Sequence, residues 1–220
     1  MSLYFTLDLF IGFSMPIVVV VLGWMGWMPT RMVRWYWLGV AVGVAWEAPL
    51  FVFSQMGTPL LDAASPFPLP WPVFLVCHVL WDGALMLVGL ESARRVGLST
   101  WRGLAVLLVW GQVSAISVEL SSALSGAWAY QAGVGWNPVL FTARGHPLTL
   151  FPQLMWLVSP VVAWGLVRST STARWLSALG VLLVLWPSLL VAAITLSDAP
   201  LPEVGPDVWV AAGVATDVRG

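Results

Sequence analysis

Six apolar runs follow one another along this chain, at roughly 5–28, 35–55, 72–92, 101–124, 148–167 and 174–196. Each approaches the ~20 residues that a helix needs to cross the hydrocarbon core of a bilayer. In that setting every backbone N–H and C=O must find a partner within the protein, which leaves helices or closed barrels. The runs are continuous, not ten-residue alternations, so helices are expected. Composition agrees, with 60% of residues hydrophobic and 9% charged, against roughly 25% charged in soluble domains. The expected fold is therefore all-α: a polytopic transmembrane bundle of about six helices. It forms one domain over 1–196, followed by a polar tail over 197–220 that carries Asp198, Glu203, Asp207 and Asp217.

Breakers separate the runs. They are Pro29-Thr30-Arg31, the Pro66–Pro70 stretch, Arg94-Arg95, the Gly/Trp stretch around 125–147, and Arg168-Ser169-Thr170-Ser171. No internal repeat is evident. The arginines cluster on alternate turns: Arg31 and Arg34, then Arg94, Arg95 and Arg102, then Arg168 and Arg174. The other side has only Arg144, with Asp62 and the acidic tail. The positive-inside rule then makes the arginine-bearing turns cytoplasmic and puts both termini on the non-cytoplasmic side. The N-terminus lacks a basic n-region and has Asp8 ahead of its apolar stretch, so a cleaved signal peptide is not expected.

A net charge of −1 offers nothing like a basic stripe, so no nucleic-acid partner is expected. The single cysteine, Cys77, excludes a disulfide framework and a cysteine metal site. Sixteen tryptophans suit interfacial belts. Trp46, Trp81 and Trp156 are harder to read that way, because they lie mid-span or beside polar residues.

Ionisable groups in hydrocarbon cost several kcal/mol and call for a reason. Four stand out: Glu47 in span two, His78 and Asp82 in span three, and Glu119 in span four. Gln112 and Gln153 are neutral companions. His78 and Asp82 are four apart on one helical face, and Gln112 and Glu119 share a face two turns apart. Each residue alone has an equally good structural explanation, such as an internal hydrogen bond or a carbonyl freed by Pro49. As a set they point to a shared polar pocket. Asp8 and Glu91 lie near span ends within reach of headgroup water and are set aside; His146 is placed at the interface.

Metal binding is poorly supported, since there is no second intramembrane His and no H-E-x-x-H motif. Nucleophilic catalysis is weaker still: Cys77 has no basic neighbour on its face, and Ser117, Ser121 and Ser122 read as helix-packing residues. Proton chemistry fits best, because a carboxylic acid in apolar surroundings holds its proton and can deliver it to a weak base. Aromatic faces nearby can stabilise a cation formed that way.

The order of motifs resembles the EXPERA family, which includes the emopamil-binding sterol isomerases and the sigma-2 receptor. Phe74-Leu75-Val76-Cys77-His78, after Trp71 and a proline-rich loop, is similar to that family's F-L-x-C-E helix, with His78 where the family has an essential acid. Gly111-Gln112 opens the core of span four as in the isomerase. Gln153-Leu154-Met155-Trp156-Leu157-Val158-Ser159-Pro160 resembles its N-A-L-W-L-V-L-P segment, and Gly145-His146-Pro147-Leu148 precedes it. Ala45-Trp46-Glu47-Ala48-Pro49 puts Glu47 near the family's second-helix acid. The resemblance covers about 35–168 and implies an EXPERA-like core of four to five helices. It also implies Glu47 and His78 as the proton-handling pair, Gln153 in place of an Asn, and Trp156 as the cation-stabilising Trp. Two departures are plain: Gly43 stands where the isomerase has a His, and His78 replaces its span-three Glu. Ala45-Trp46-Glu47 is also similar to the A-W-E motif of membrane-bound meroterpenoid cyclases, which use a Glu to protonate an epoxide or alkene.

The resulting expectation is a cofactor-independent intramembrane isomerase that shifts a C=C bond in a sterol-like or terpenoid lipid. Glu47, His78, Asp82 and Glu119 form the expected catalytic set, and Trp46, Trp81, Gln112, Gln153 and Trp156 the substrate-binding set. The alternatives are a non-catalytic sterol- or lipid-binding protein and a membrane-bound terpene cyclase. A transporter or proton channel is disfavoured by the absence of repeats and paired broken helices. Expected partners are a hydrophobic lipid and the surrounding membrane lipids, with a homodimer left open. Spans two to five are expected to hold the site, with spans one and six as scaffold.

Overall fold

The computed structural model describes residues 3–55, 61–63, 70–130, 132, 137–168 and 188. Five helices run through them: α1 (Leu3–Trp24), α2 (Thr30–Gln55), α3 (Trp71–Arg95), α4 (Trp101–Leu124) and α5 (Leu150–Arg168). Helices make up 78% of the described residues. Four of them, α1, α3, α4 and α5, are long and apolar enough to cross a membrane. The α2 helix is 26 residues long and carries Glu47 in its second half. The expected count of about six is thus five helices among the described residues. The run at 174–196 (Ser188 apart), the tail at 197–220 and the turn at 66–69 lie outside them.

The all-α expectation needs one correction. Four short strands, β1 (Leu61–Ala63), β2 (Trp128–Tyr130), β3 (Val139–Ala143) and β4 (His146–Thr149), form two antiparallel pairs, β1 with β2 and β3 with β4. The Gly/Trp stretch read as a mere breaker therefore carries structure. Its hairpin turns at Arg144 (φ 53) and Gly145 (φ 84), the left-handed pair that a two-residue hairpin loop requires.

Local signals explain the helix ends. Pro72 stands in the first turn of α3, where its missing N–H costs nothing. Arg94 and Arg95 occupy that helix's last turn, where cations favour the carbonyl end of the dipole. Thr100 caps α4, its side chain accepting from the Gly103 N–H at 3.4 Å.

Hydrophobicity does not hold helices together in lipid; close packing and interhelical hydrogen bonds do. Glycines mark the crossings here. A Cβ on Gly39 would fall 2.9 Å from both the Asp82 carbonyl oxygen and the Gly83 Cα, so α2 and α3 meet nearly backbone to backbone. Gly12 lets α1 settle on Cys77 and Trp81 of α3, and Gly111 lets α4 meet the Trp156 backbone of α5. Indole N–H groups act as fasteners: Trp110 donates to the Leu85 carbonyl at 2.8 Å and Trp164 to that of Leu98 at 2.6 Å.

The Trp164 bond gathers the end of α5 to the α3–α4 turn, and Arg31 acts on the charge of Glu91 near the end of α3. The arginine-bearing turns thus share one end of the bundle. Glu91 is occupied there, pairing with Arg94 at 2.6 Å and Arg95 at 3.8 Å. Trp24, Trp27 and Trp101 are 73–87% exposed at the same end, as an interfacial belt requires. Both strand pairs lie at the opposite end.

Gly39→Leu is expected to lower stability by about 1–3 kcal/mol, the usual cost of overpacking, whereas Gly165→Ala, with open space at its Cβ, leaves it unchanged or higher. Thermal unfolding in detergent checks both; an unaffected midpoint in Gly39→Leu would contradict the crossing.

Candidate functional site

His78 lies in the second turn of α3, and its two ring nitrogens face two different carboxyl groups. Nδ1 is 3.6 Å from Glu47 Oε1 on α2, and Nε2 is 3.6 Å from Asp8 Oδ2 on α1. Aromatic rings enclose the imidazole: Phe51 and Trp128 with centroids 5.8 and 5.7 Å away, and Phe74 at 6.4 Å. Asp82, one turn beyond His78, packs directly on Gly43 of α2, where a Cβ would meet its Oδ2 at 2.5 Å. The Trp46 indole reaches the same carboxyl.

Asp8, Trp46, Glu47, His78, Asp82 and Trp128 line one cavity of about 230 Å³, partly open, in the arginine-poor half of the bundle. Of the expected site residues, Trp46, Glu47, His78, Trp81, Asp82, Glu119 and Trp156 all face it. Trp46 and Trp156 are buried, and their environment is the second of two apolar clusters, built around Leu50, Phe74 and Met155. Among the described residues, no group of three His, Cys, Asp or Glu is arranged to hold a metal ion.

Asp8 corrects the sequence reading. Set aside as a span-end residue, it lies instead against His78, with its side chain only 11% exposed. Two bonds from α3 to its carbonyl hold it there, one from the Trp81 indole at 3.0 Å and one from the Cys77 thiol at 3.4 Å. Span one, expected as scaffold, therefore contributes to the site, with Tyr4, Leu7 and Ile11 also in the wall. No local signal marked this: five residues into a helix reads as near the surface until a strand cap covers that end.

Trp128 and Tyr130 of β2 were missed for the same reason, since they come from the stretch taken as a connection. Both are buried and face the cavity. Burial pushes the Tyr130 hydroxyl well above its ordinary range, which keeps it a neutral phenol.

Glu119 is of another kind. Its Oε1 accepts from the Thr149 amide at 2.8 Å and the Thr149 hydroxyl at 2.7 Å, and its Oε2 from the Gln153 amide at 3.1 Å. It thus ties α4 to the N-terminus of α5, where a carboxyl group complements the helix dipole. Gln112 donates to the Gln153 carbonyl at 3.0 Å. Neither Gln112 nor Gln153 lines the cavity; together they brace the Glu119 corner. Asn137, unmarked in the sequence, accepts from the Phe151 N–H at 2.8 Å and finishes the same helix start.

The two groups differ in satisfaction. Asp8 Oδ2, Glu47 Oε2 and Asp82 Oδ2 are buried without a hydrogen-bond partner, while both Glu119 oxygens have one. A buried polar atom left unpaired costs about 1–3 kcal/mol.

No known protein family, curated protein or solved structure matches this chain.

Glu119→Ala strands the Thr149 and Gln153 donors and should cost about 1–3 kcal/mol. Glu47→Gln keeps the shape and strands no hydrogen-bond donor, so its unfolding midpoint should fall less than that of Glu119→Ala. Equal losses in both, measured by thermal unfolding, would contradict the division between brace and site.

Proposed function

We propose that this chain is an intramembrane isomerase that shifts a carbon–carbon double bond in a terpenoid or sterol-like lipid. The single observation that carries the reading is the His78 imidazole, 3.6 Å from Glu47 on one nitrogen and 3.6 Å from Asp8 on the other, in the wall of a tryptophan-lined cavity. A proton donor and acceptor within reach of one another, facing an apolar space, suit acid–base chemistry on a substrate with no polar group at the reacting centre.

Either member of the pair can open the cycle. With Glu47 as the acid, its carboxyl proton goes to one alkene carbon. The π pair forms the new C–H bond and leaves a carbocation on the other carbon. The faces of Trp46, Trp81 and Trp156 stabilise that charge. His78 then removes a proton from a neighbouring carbon, whose C–H pair becomes the shifted double bond. The imidazolium returns its proton to the Glu47 carboxylate, and Asp8 holds the ring in place from the far side. Exclusion of bulk water keeps the cation from being quenched. No cofactor enters the balance.

The EXPERA resemblance supports the same residues, and the Asp82 position bears on its main departure. Gly43 replaces the His of the sterol isomerases, and the space above Gly43 is taken by the Asp82 carboxyl. An ionisable group thus stands there, delivered from α3. The same Gly43 favours the second reading, a non-catalytic lipid-binding protein. The Ala45-Trp46-Glu47 motif keeps a terpene cyclase as a third. The arginine-bearing end is read as cytoplasmic, which puts the cavity in the opposite leaflet.

Incubation of the purified chain with unsaturated terpenoids and sterols in D2O, followed by mass spectrometry, tests the reaction. An isomerase returns a double-bond isomer about one mass unit heavier than the substrate, carrying one solvent deuteron. Glu47→Gln and His78→Ala should each lower turnover by about 10²–10⁴-fold, the usual contribution of a general acid or base, while binding persists. Binding without any double-bond shift supports the second reading, and unaltered activity in both variants removes the mechanism.

A further inference from the structure

The cavity volume limits what can be enclosed. At about 230 Å³, it is smaller than the ~300–1,000 Å³ of pockets that surround a drug-sized ligand. A lipid of bilayer length can place only one part of itself inside, and the rest must leave through an opening.

The opening has a location. Both α1 and α4 contribute to the wall, yet among the described residues these two helices barely approach one another. The lining side chains along their seam turn outward: Leu7 is 49% exposed, and Ser121 is exposed with Val118 half-buried beside it. Among the described residues, this seam runs along the helix sides, where a bilayer lies, and not toward the water beyond the strand cap.

Tyr4, in the first turn of α1, lines the cavity beside this seam together with Ser121 of α4. The Ser121 hydroxyl donates to the Val118 carbonyl of its own helix at 3.1 Å.

We infer that the cavity takes its ligand from the bilayer through the α1–α4 seam, past Tyr4, and that this ligand is a single-chain isoprenoid lipid inserted end-first. This rests on the isomerase reading, which requires a double bond near the inserted end. A flexible chain can turn out of the lipid layer and through a narrow slot. A rigid fused-ring skeleton cannot bend to do so, and the enclosed volume does not accommodate it whole. The narrower substrate class therefore follows from the shape of the site and the side on which it opens.

The test uses the full chain in lipid vesicles, with Cys77→Ser to remove the native thiol while keeping its hydrogen-bond donor. Tyr4→Cys and Ser121→Cys are joined by a short reversible bis-methanethiosulfonate linker. Two photoprobes are compared: a linear isoprenoid alcohol with a diazirine at its apolar end, and a sterol with a diazirine on its ring system. The expected result is that the linear probe labels the peptides containing Trp81 and Trp156, that linking abolishes this labelling, and that reduction restores it in the same sample. Labelling that is unaffected by linking overturns the seam. Labelling of Trp81 and Trp156 by the sterol as strongly as by the linear probe overturns the ligand class. In both cases the isomerase reading stands, because turnover is measured separately in D2O. Failure of both probes to label the cavity in the unlinked protein overturns the inference and the ligand cavity together.

Discussion

An imidazole held 3.6 Å from each of two carboxyl groups is expensive to maintain away from water, and much of the bundle's geometry serves to maintain it. Three carboxyls (those of Asp8, Glu47 and Asp82) and one imidazole stand together in an apolar setting, where taking each charge out of water is costly.

Each acid arrives on a different helix, and each helix is pinned by a device specific to it. Gly12 and the bonds from Trp81 and Cys77 bring α1 down onto α3 and fix Asp8. The close crossing at Gly39, Gly43 and Gly83 brings Glu47 beside His78 and leaves the space that Asp82 occupies. On the far wall, Glu119 spends its hydrogen-bonding capacity on Thr149 and Gln153, so α5 keeps Trp156 in position. Both Glu119 oxygens are hydrogen-bonded, whereas Asp8, Glu47 and Asp82 each keep a buried oxygen without a hydrogen-bond partner.

Much of this was legible in the chain. The polar residues that interrupt apolar runs, Glu47, His78, Asp82 and Glu119, do converge, because a bundle in lipid has only its interior to offer them. The tryptophans divided as expected, with Trp46 and Trp156 inside and Trp24, Trp27 and Trp101 at the rim. Asp8 was not legible. Distance along the chain from a helix end says nothing of what covers that end, and here β2 does. The strands were missed for a related reason: segments of three to five residues between two helices carry too little period to separate a strand from a turn.

The sequence by itself determined that this is a helical membrane protein with buried acids, because a 9% charged chain has no other way to satisfy its backbone and its few ionisable groups. Only the tertiary structure decided which of those acids face an imidazole and which brace a helix. Glu47 and Glu119 look alike as letters in apolar runs. They differ in what faces them: an imidazole in one case, and an amide, a hydroxyl and a glutamine in the other. That difference is set by helix crossings between residues 30 and more apart, a separation over which no local pattern carries information.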